Sequence, residues 1–170
     1  MSAASIDEAQ VNWPVVNHLL DSVDYWMGDL GVSGFRLDVP NEVPFWFWEL
    51  FRERCRQVKP EHVLIGEIWG DAGNWIHPDV FDAVMNYKYF KDPVVKWIGQ
   101  EQGNAAVFDR ELAPGRTRYP LQAVRSQMNL IDSHDTARFL RISGGDPRRL
   151  QLAATFAMTY VGSPHIYYGN

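Results

Sequence analysis

Apolar residues recur along this chain with two alternating periods, and the alternation itself predicts the architecture. Residues 14–30 carry Val16, Leu19, Leu20, Val23, Trp26, Met27 and Leu30 on one helical stripe, with Pro14 at the first helical position and Gly31 as the stop. Residues 34–39 switch to a period of two: Phe35, Leu37 and Val39 point one way, Arg36 and Asp38 the other, until Pro40 ends the ladder. A second helix follows over 44–58, with Phe47, Leu50, Phe51, Cys55 and Val58 inward, Glu49, Arg52, Glu53 and Arg56 on the wet side, and Trp46 and Trp48 flanking the stripe. Residues 63–69 form a near-continuous apolar run, the signature of a strand covered on both faces of a parallel sheet. A loop with two glycines follows at 70–74, and residues 81–87 make a weaker third strand.

The second half repeats the alternation. Helices are predicted over 91–101 and 104–112, with Ala113-Pro114-Gly115 as a turn, and a short helix over 119–127. Residues 128–131 form a fourth strand. A helical turn over 136–142 ends at Gly144-Gly145, Asp146 caps a helix over 147–160, and residues 165–168 form a fifth strand. Strand and helix alternating in this way predict an α/β fold, a parallel sheet with right-handed crossovers.

Composition narrows the function classes. A chain of 170 residues suffices for one domain with a real core, and 46% hydrophobic with 22% charged residues is globular. The net charge of −5 argues against nucleic acid as a partner, and the basic runs at 52–56 and Arg148-Arg149 are interrupted, as on solvated helix faces. No apolar stretch spans a membrane, and the acidic start lacks a secretory signal, so the expected location is the cytoplasm, unless a leader has been lost. The single cysteine, Cys55, excludes an internal disulfide and reads as a helix residue. Seven Trp and seven Tyr suit either stacking on sugar rings or an aromatic core.

Two carboxylates stand out by position. Asp38 shares a strand face with Arg36, and a guanidinium that close keeps a carboxylate charged, as a nucleophile requires; a surface ion pair on a half-buried strand reads equally well from this stretch alone. Val63, Ile65 and Glu67 share one face, which sets Glu67 at the C-terminal end of its strand as Asp38 is at its own. Loops at that end carry function in parallel β/α folds. There is no Gly-rich phosphate loop, no His-Glu-x-x-His pair and no Cys-x-x-Cys, and Gly144-Gly145-Asp146 is a turn and helix cap.

Residues 34–43 resemble the segment that carries the nucleophile in the α-amylase family of glycoside hydrolases, most closely its cyclomaltodextrinase, neopullulanase and maltogenic-amylase branch. Gly66-Glu67-Ile68-Trp69 and Asn129-Leu130-Ile131-Asp132-Ser133-His134-Asp135 resemble that family's acid/base and substrate-clamping segments, in the same order, and residues 81–87 are again similar to the neopullulanase branch. The resemblance runs from about Pro14 to the end. It implies a partial (β/α)8 TIM barrel whose five strands correspond to the fourth through eighth, over residues 14–170 behind an N-terminal tail of residues 1–13. The family's first motif, its first three strands and its C-terminal β-domain have no counterpart here; at most Val11-Asn12 is similar to the end of the family's loop domain.

For function the resemblance implies a retaining hydrolase of α-glucosidic bonds in maltooligosaccharides, cyclodextrins or pullulan, acting through a covalent glycosyl-enzyme intermediate. Transglycosylation is a variant of the same chemistry. Asp38 is then the nucleophile and Glu67 the general acid/base, its pKa raised by apolar surroundings. Asp135 is the third carboxylate, which with His134 holds sugar hydroxyls. Trp69 either stacks on the acceptor sugar or packs in the core, and Asn41 and Glu42 line the acceptor side. No cofactor and no essential metal are expected. Five strands leave two open edges and an exposed apolar face, which predicts a homo-oligomer. The alternative is a non-catalytic half-barrel that keeps the family motifs. Asn170 falls where the family usually carries Asp.

Overall fold

The computed structural model describes residues 10–170; of the tail expected over residues 1–13, residues 1–9 lie outside the described residues. The chain divides into two compact units, Met1–Glu67 with His77–Asp82, and Ile68–Ile76 with Ala83–Asn170. Strands and helices alternate in both, and strand pairs within each are parallel, so the fold is α/β as the sequence pattern predicts. Among the described residues no helix is long and apolar enough to cross a membrane.

In the first unit, helix α1 (Trp13–Val23) starts at Asn12, whose side chain accepts from the Val15 N–H, and Pro14 occupies the first turn. From Asp24 to Asp29 the helix widens into a π-helical turn rather than continuing to Leu30 as an α-helix. Val16, Val23 and Met27 are buried, while Leu19, Trp26 and Leu30 stay about half exposed.

Strand β1 (Gly34–Leu37) pairs in parallel with β2 (Val63–Gly66), Gly34 opposite Val63 and Leu37 opposite Gly66. Both strands stop sooner than their apolar runs suggest, because the last residues of each run turn into the loops that carry the carboxylates. Gly34 fixes the start of the register: a Cβ there would overlap the Val63 carbonyl oxygen. Helix α2 (Phe45–Val58) buries Phe47, Trp48, Phe51 and Cys55. The Cys55 thiol is pushed up to about 12 by burial, so it is an inert packing residue.

Arg52 corrects the expected wet face of α2. It is buried, and its guanidinium grips Asp82 with two bonds of 2.6 and 2.8 Å. Asp82 Oδ2 also accepts from the Leu64 N–H at 2.8 Å, so one carboxylate ties α2 to β2. Burial pushes the Asp82 carboxyl up, but the bonds from Arg52 and Leu64 outweigh it and hold the group below the usual carboxylate range. Removing one partner strands the other, so Arg52→Met is expected to destabilise the protein by about 3 kcal/mol, read from denaturant melts. Because the folded pKa is depressed, the Asp82 contribution is present above the unfolded value near pH 3.9 and is lost as pH falls through the folded one. The penalty of Arg52→Met should therefore shrink below about pH 4.

In the second unit the segment read as a third strand reduces to two residues, β3 (Ala83–Val84), followed by a π-helical stretch, Tyr87–Lys91, a single turn α3 (Asp92–Val94) and a second π-helical stretch, Val95–Gly99. Helix α4 (Ala105–Thr117) is capped by Asn104 and runs straight through the predicted turn at 113–115. Gly115 is there for closeness rather than for a turn: a Cβ would come within 2.8 Å of the Tyr89 Cβ. Helix α5 (Leu121–Ser126) leads into β4 (Met128–Leu130), and a single parallel bridge joins Met85 to Met128.

After β4, only Phe139–Ile142 of the predicted helical turn forms a helix, α6, because the Asp132 carboxylate takes the Phe139 N–H. Helix α7 (Pro147–Thr159) is capped by Asp146. The last strand, β5 (Ser163–His165), sits two residues earlier than the aromatic run suggests and pairs with β4 in parallel. Gly162, with φ of +127°, lies against the Asn129 side chain where no other residue fits, and the Ser163 N–H pairs with the Gln127 carbonyl. The core of this unit joins Phe90, Val94, Phe108, Ile131 and Phe139 with the inner faces of α4 and α7.

Candidate active site

Asp38 and Glu67 occupy matched places, each the first residue past the C-terminal end of its strand. The ladder continues one step to hold them there: the Glu67 N–H donates to the Leu37 carbonyl at 2.9 Å. Adjacent parallel strands lie about 4.8 Å apart, so the two side chains leave the same rim side by side. Arg36 bridges them, with Nη1 2.7 Å from Asp38 Oδ1 and Nη2 paired with Glu67 Oε1.

The environments of the two carboxyls differ. The Asp38 side chain is 76% exposed and that of Glu67 only 2%. Burial pushes the Glu67 pKa up and the nearby Asp38 carboxylate adds to the rise, against the opposing pull of Arg36 and the Val39 N–H. Val39 itself is held in the left-handed region, with φ of 37°, a strain of about 1–2 kcal/mol for a β-branched residue. The twist aims the Val39 N–H at Glu67 Oε2, 3.4 Å away. Behind it, the buried Trp48 indole donates to the Pro40 carbonyl at 2.8 Å, and Gly66 leaves room for the Pro40 and Phe81 rings. Asn41 and Glu42, on the 3-10 turn Pro40–Glu42, are exposed and bonded to each other.

The second unit carries His134, Asp135 and Trp69. His134 Nε2 lies 3.0 Å from Asp135 Oδ2, and both side chains are about half exposed on the loop after β4. Ser133 braces that loop: its Oγ accepts from the Asp135 N–H and from the Tyr87 hydroxyl, while its own N–H donates to Thr136 Oγ1. The fully buried Asp132 anchors the loop's root through Phe139, Arg138 and Asn170, whose amide donates to Asp132 at 2.8 Å and accepts from Arg138 at 2.8 Å. An amide serves both neighbours, one anionic and one cationic, where a carboxylate would face Asp132 as a like charge. Trp69 is half exposed and lies flat on the buried Tyr87, with ring centroids 4.3 Å apart and planes within 9°. One face of the ring is packed on Tyr87 and the remainder is in solvent.

Tyr87, Ser133 and Asp132 are the supporting residues that sequence reasoning missed. Asp132 and Ser133 stand inside the quoted segment, and an acid directly after an apolar strand was the available signal; Tyr87 gave none, being one aromatic in a run read as a strand. Within either unit taken by itself, no three His, Cys, Asp or Glu side chains among the described residues converge on a metal-sized site.

Parallel β/α units thus set two carboxyls side by side at C-terminal strand ends, one exposed and one buried, the end at which β/α folds carry their sites. The chain matches the family described as the catalytic domain of alpha amylase over residues 5–170, and it belongs to that family. It is 44% identical to neopullulanase 2 of Thermoactinomyces vulgaris over 159 residues, which is 94% of this chain and 27% of that protein. Identity to a cyclomaltodextrinase of Thermoanaerobacter pseudethanolicus is 40%, over 94% of this chain and 28% of that one. A solved cyclomaltodextrinase superposes with a TM-score of 0.89 at 41% identity, covering 92% of this chain and 27% of its own. The debranching enzyme of Nostoc punctiforme gives 0.85 at 33%, covering 93% and 37%. The chain thus spans little more than a quarter of the length of the curated relatives named here.

Proposed function

We propose that this chain carries the catalytic carboxyls of a retaining α-glucan hydrolase acting on maltooligosaccharides, cyclodextrins or pullulan. The observation that carries the reading is the pairing of an exposed, arginine-bound Asp38 with a buried Glu67 of raised pKa at matched positions on two adjacent strands. Asp38 attacks the anomeric carbon while Glu67 gives its proton to the glycosidic oxygen; the C–O bond breaks and a glycosyl ester of Asp38 forms. Glu67, now a carboxylate, takes a proton from water, which attacks the same carbon and releases Asp38. A second sugar in place of that water gives transglycosylation.

By resemblance, Asp135 and His134 hold hydroxyls of the reacting sugar, Trp69 stacks on the acceptor, Asn41 and Glu42 line the acceptor side, and Arg36, paired with both carboxyls, belongs to the substrate-binding set. The five strands are assigned to the fourth through eighth of the family's barrel, within a domain over residues 14–170. Location in the cytoplasm is supported by a 35% identical relative, named the intracellular maltogenic amylase of Bacillus subtilis. The exposed apolar residues Leu19, Trp26 and Leu30 in one unit and Leu152, Met158 and Val161 in the other support self-association. A second reading, a non-catalytic half-barrel, is favoured by the five strands among the described residues against the eight of a closed barrel.

Proton NMR of maltotriose and cyclodextrin digests by the purified chain, with its mass in solution measured on the same sample, tests these readings. The expected result is release of the α-anomer first by an oligomer. The β-anomer first would overturn the retaining mechanism, absence of reducing ends would favour the non-catalytic reading, and a monomeric mass would count against self-association.

A further inference from the structure

Two residues beyond each partner of the Trp69–Tyr87 stack, the same two segments meet again. The Tyr89 hydroxyl donates to Asp71 Oδ2 at 2.8 Å. The loop 69–76 and the π-helical stretch Tyr87–Lys91 are therefore joined by two parallel rungs, 69 to 87 and 71 to 89. Between the rungs stands Gly70, with open space around it and no side chain to steady the loop.

The second rung is built as a socket. Asp71 Oδ1 accepts from the Gly73 N–H at 2.8 Å, and Arg118, just past the end of α4, brings its Nε to 2.5 Å from Asp71 Oδ2. A Cβ at position 73 would lie 3.1 Å from both the Arg118 guanidinium and Asp71 Oδ1, so the loop is pressed against the pair. Ala72 is fully buried and its N–H donates to the Tyr119 hydroxyl at 3.3 Å. On the far side Gly115 allows α4 to touch Tyr89. Burial pushes the Asp71 carboxyl up, but the bonds from Gly73, Tyr89 and Arg118 outweigh it and keep it charged. Burial and the bond to Asp71 push the Tyr89 hydroxyl up to about 12, so it remains a donor at any physiological pH.

We propose that Asp71, acting through Tyr89 and Arg118, is a positioning residue that holds the Trp69 ring flat on Tyr87 as a preformed platform for a glucosyl ring. The inference rests on the α-glucan reading for the identity of the sugar, but not for the holding of the ring. A half-exposed indole on a glycine-containing loop loses rotational freedom when a ligand orders it, and the second rung removes that cost before the sugar arrives. Aromatic stacking then works on a ring already in place.

The test uses the full chain and four variants: Trp69→Phe, Asp71→Ala, Tyr89→Phe and the double variant Trp69→Phe/Asp71→Ala, with far-UV melts to confirm folding. Near-UV circular dichroism of the wild type minus Trp69→Phe isolates the signal of the stack. That signal is expected to fall by about half or more in Asp71→Ala and to weaken in Tyr89→Phe, which removes one hydroxyl and serves if Asp71→Ala does not fold. Calorimetric affinity for maltoheptaose is expected to fall roughly tenfold in Asp71→Ala, and in the double variant no further than in Trp69→Phe alone. An undiminished stack signal in the folded Asp71 and Tyr89 variants, or losses that add in full, would overturn the proposal. If the wild type binds no maltoheptaose the α-glucan reading falls, and the stack signal alone decides whether Asp71 positions the ring.

Discussion

Asp38→Asn is expected to abolish glucan hydrolysis, by at least about a thousandfold in kcat, with the fold and substrate affinity little changed. The amide has the shape of the carboxylate and can still accept from Arg36, but its neutral oxygen is a poor nucleophile toward an anomeric carbon. The side chain is 76% exposed, so the substitution leaves no cavity and no stranded buried charge, and stability should stay within about 0.5 kcal/mol. Reducing-end release against matched melting curves separates the two effects. Turnover that survives in a well-folded variant would remove Asp38 from the chemistry and, with it, the reading of the Arg36 pair as anything more than structural.

Glu67→Gln is expected to lower turnover of maltooligosaccharides by about 10²–10⁴-fold, and the loss should depend on the leaving group. Cleavage of maltosyl fluoride needs no proton at the departing atom, so the first step should survive and the glycosyl ester on Asp38 should accumulate. Azide, which needs no general base, should then rescue turnover and yield an α-maltosyl azide; a β-azide, or no rescue, would count against the acid/base assignment. Stability should move the other way. Burial raises the folded pKa of Glu67, so its contribution is present below the unfolded value near pH 4.3 and is lost as pH rises through the folded one. The variant, which never ionises, is expected to melt higher than the wild type at pH 7, with the gain vanishing below about pH 4. For the acid/base proposed here, such a cost at pH 7 would be the usual exchange of stability for function.

The two rungs at 69–87 and 71–89 and the Arg52–Asp82 pair show where a linear reading stops. Arg52 looks like a wet-face residue because Glu49 and Arg56, its neighbours at helical spacing, and the adjacent Glu53 are charged; its partner lies 30 residues away, and no local pattern announces it. The Ala113-Pro114-Gly115 turn fails for a related reason. Proline and glycine usually break helices, but α4 continues because Gly115 is pressed on Tyr89 and tertiary packing overrides the local preference. The ends of β1 and β2 are not legible locally because apolar side chains continue past the last ladder bond. Phe139, by contrast, starts its helix late because a buried acid seven residues back takes its N–H.

What the sequence determined by itself is what local order can encode: five strands alternating with helices, the α/β class, and the candidate carboxyls Asp38, Glu67 and Asp135 in motif-bearing segments at strand ends. Period-two and helical periodicity act within a few residues, so they survive without any knowledge of the fold. The tertiary structure decided everything that depends on groups distant in sequence: that Arg36 bridges Asp38 to a Glu67 buried against it, that Val39 is strained to aim its N–H at that carboxyl, and that Trp69 lies flat on Tyr87. Charge state and ring placement are set by what surrounds a side chain in three dimensions, and burial is a property that no stretch of sequence carries alone.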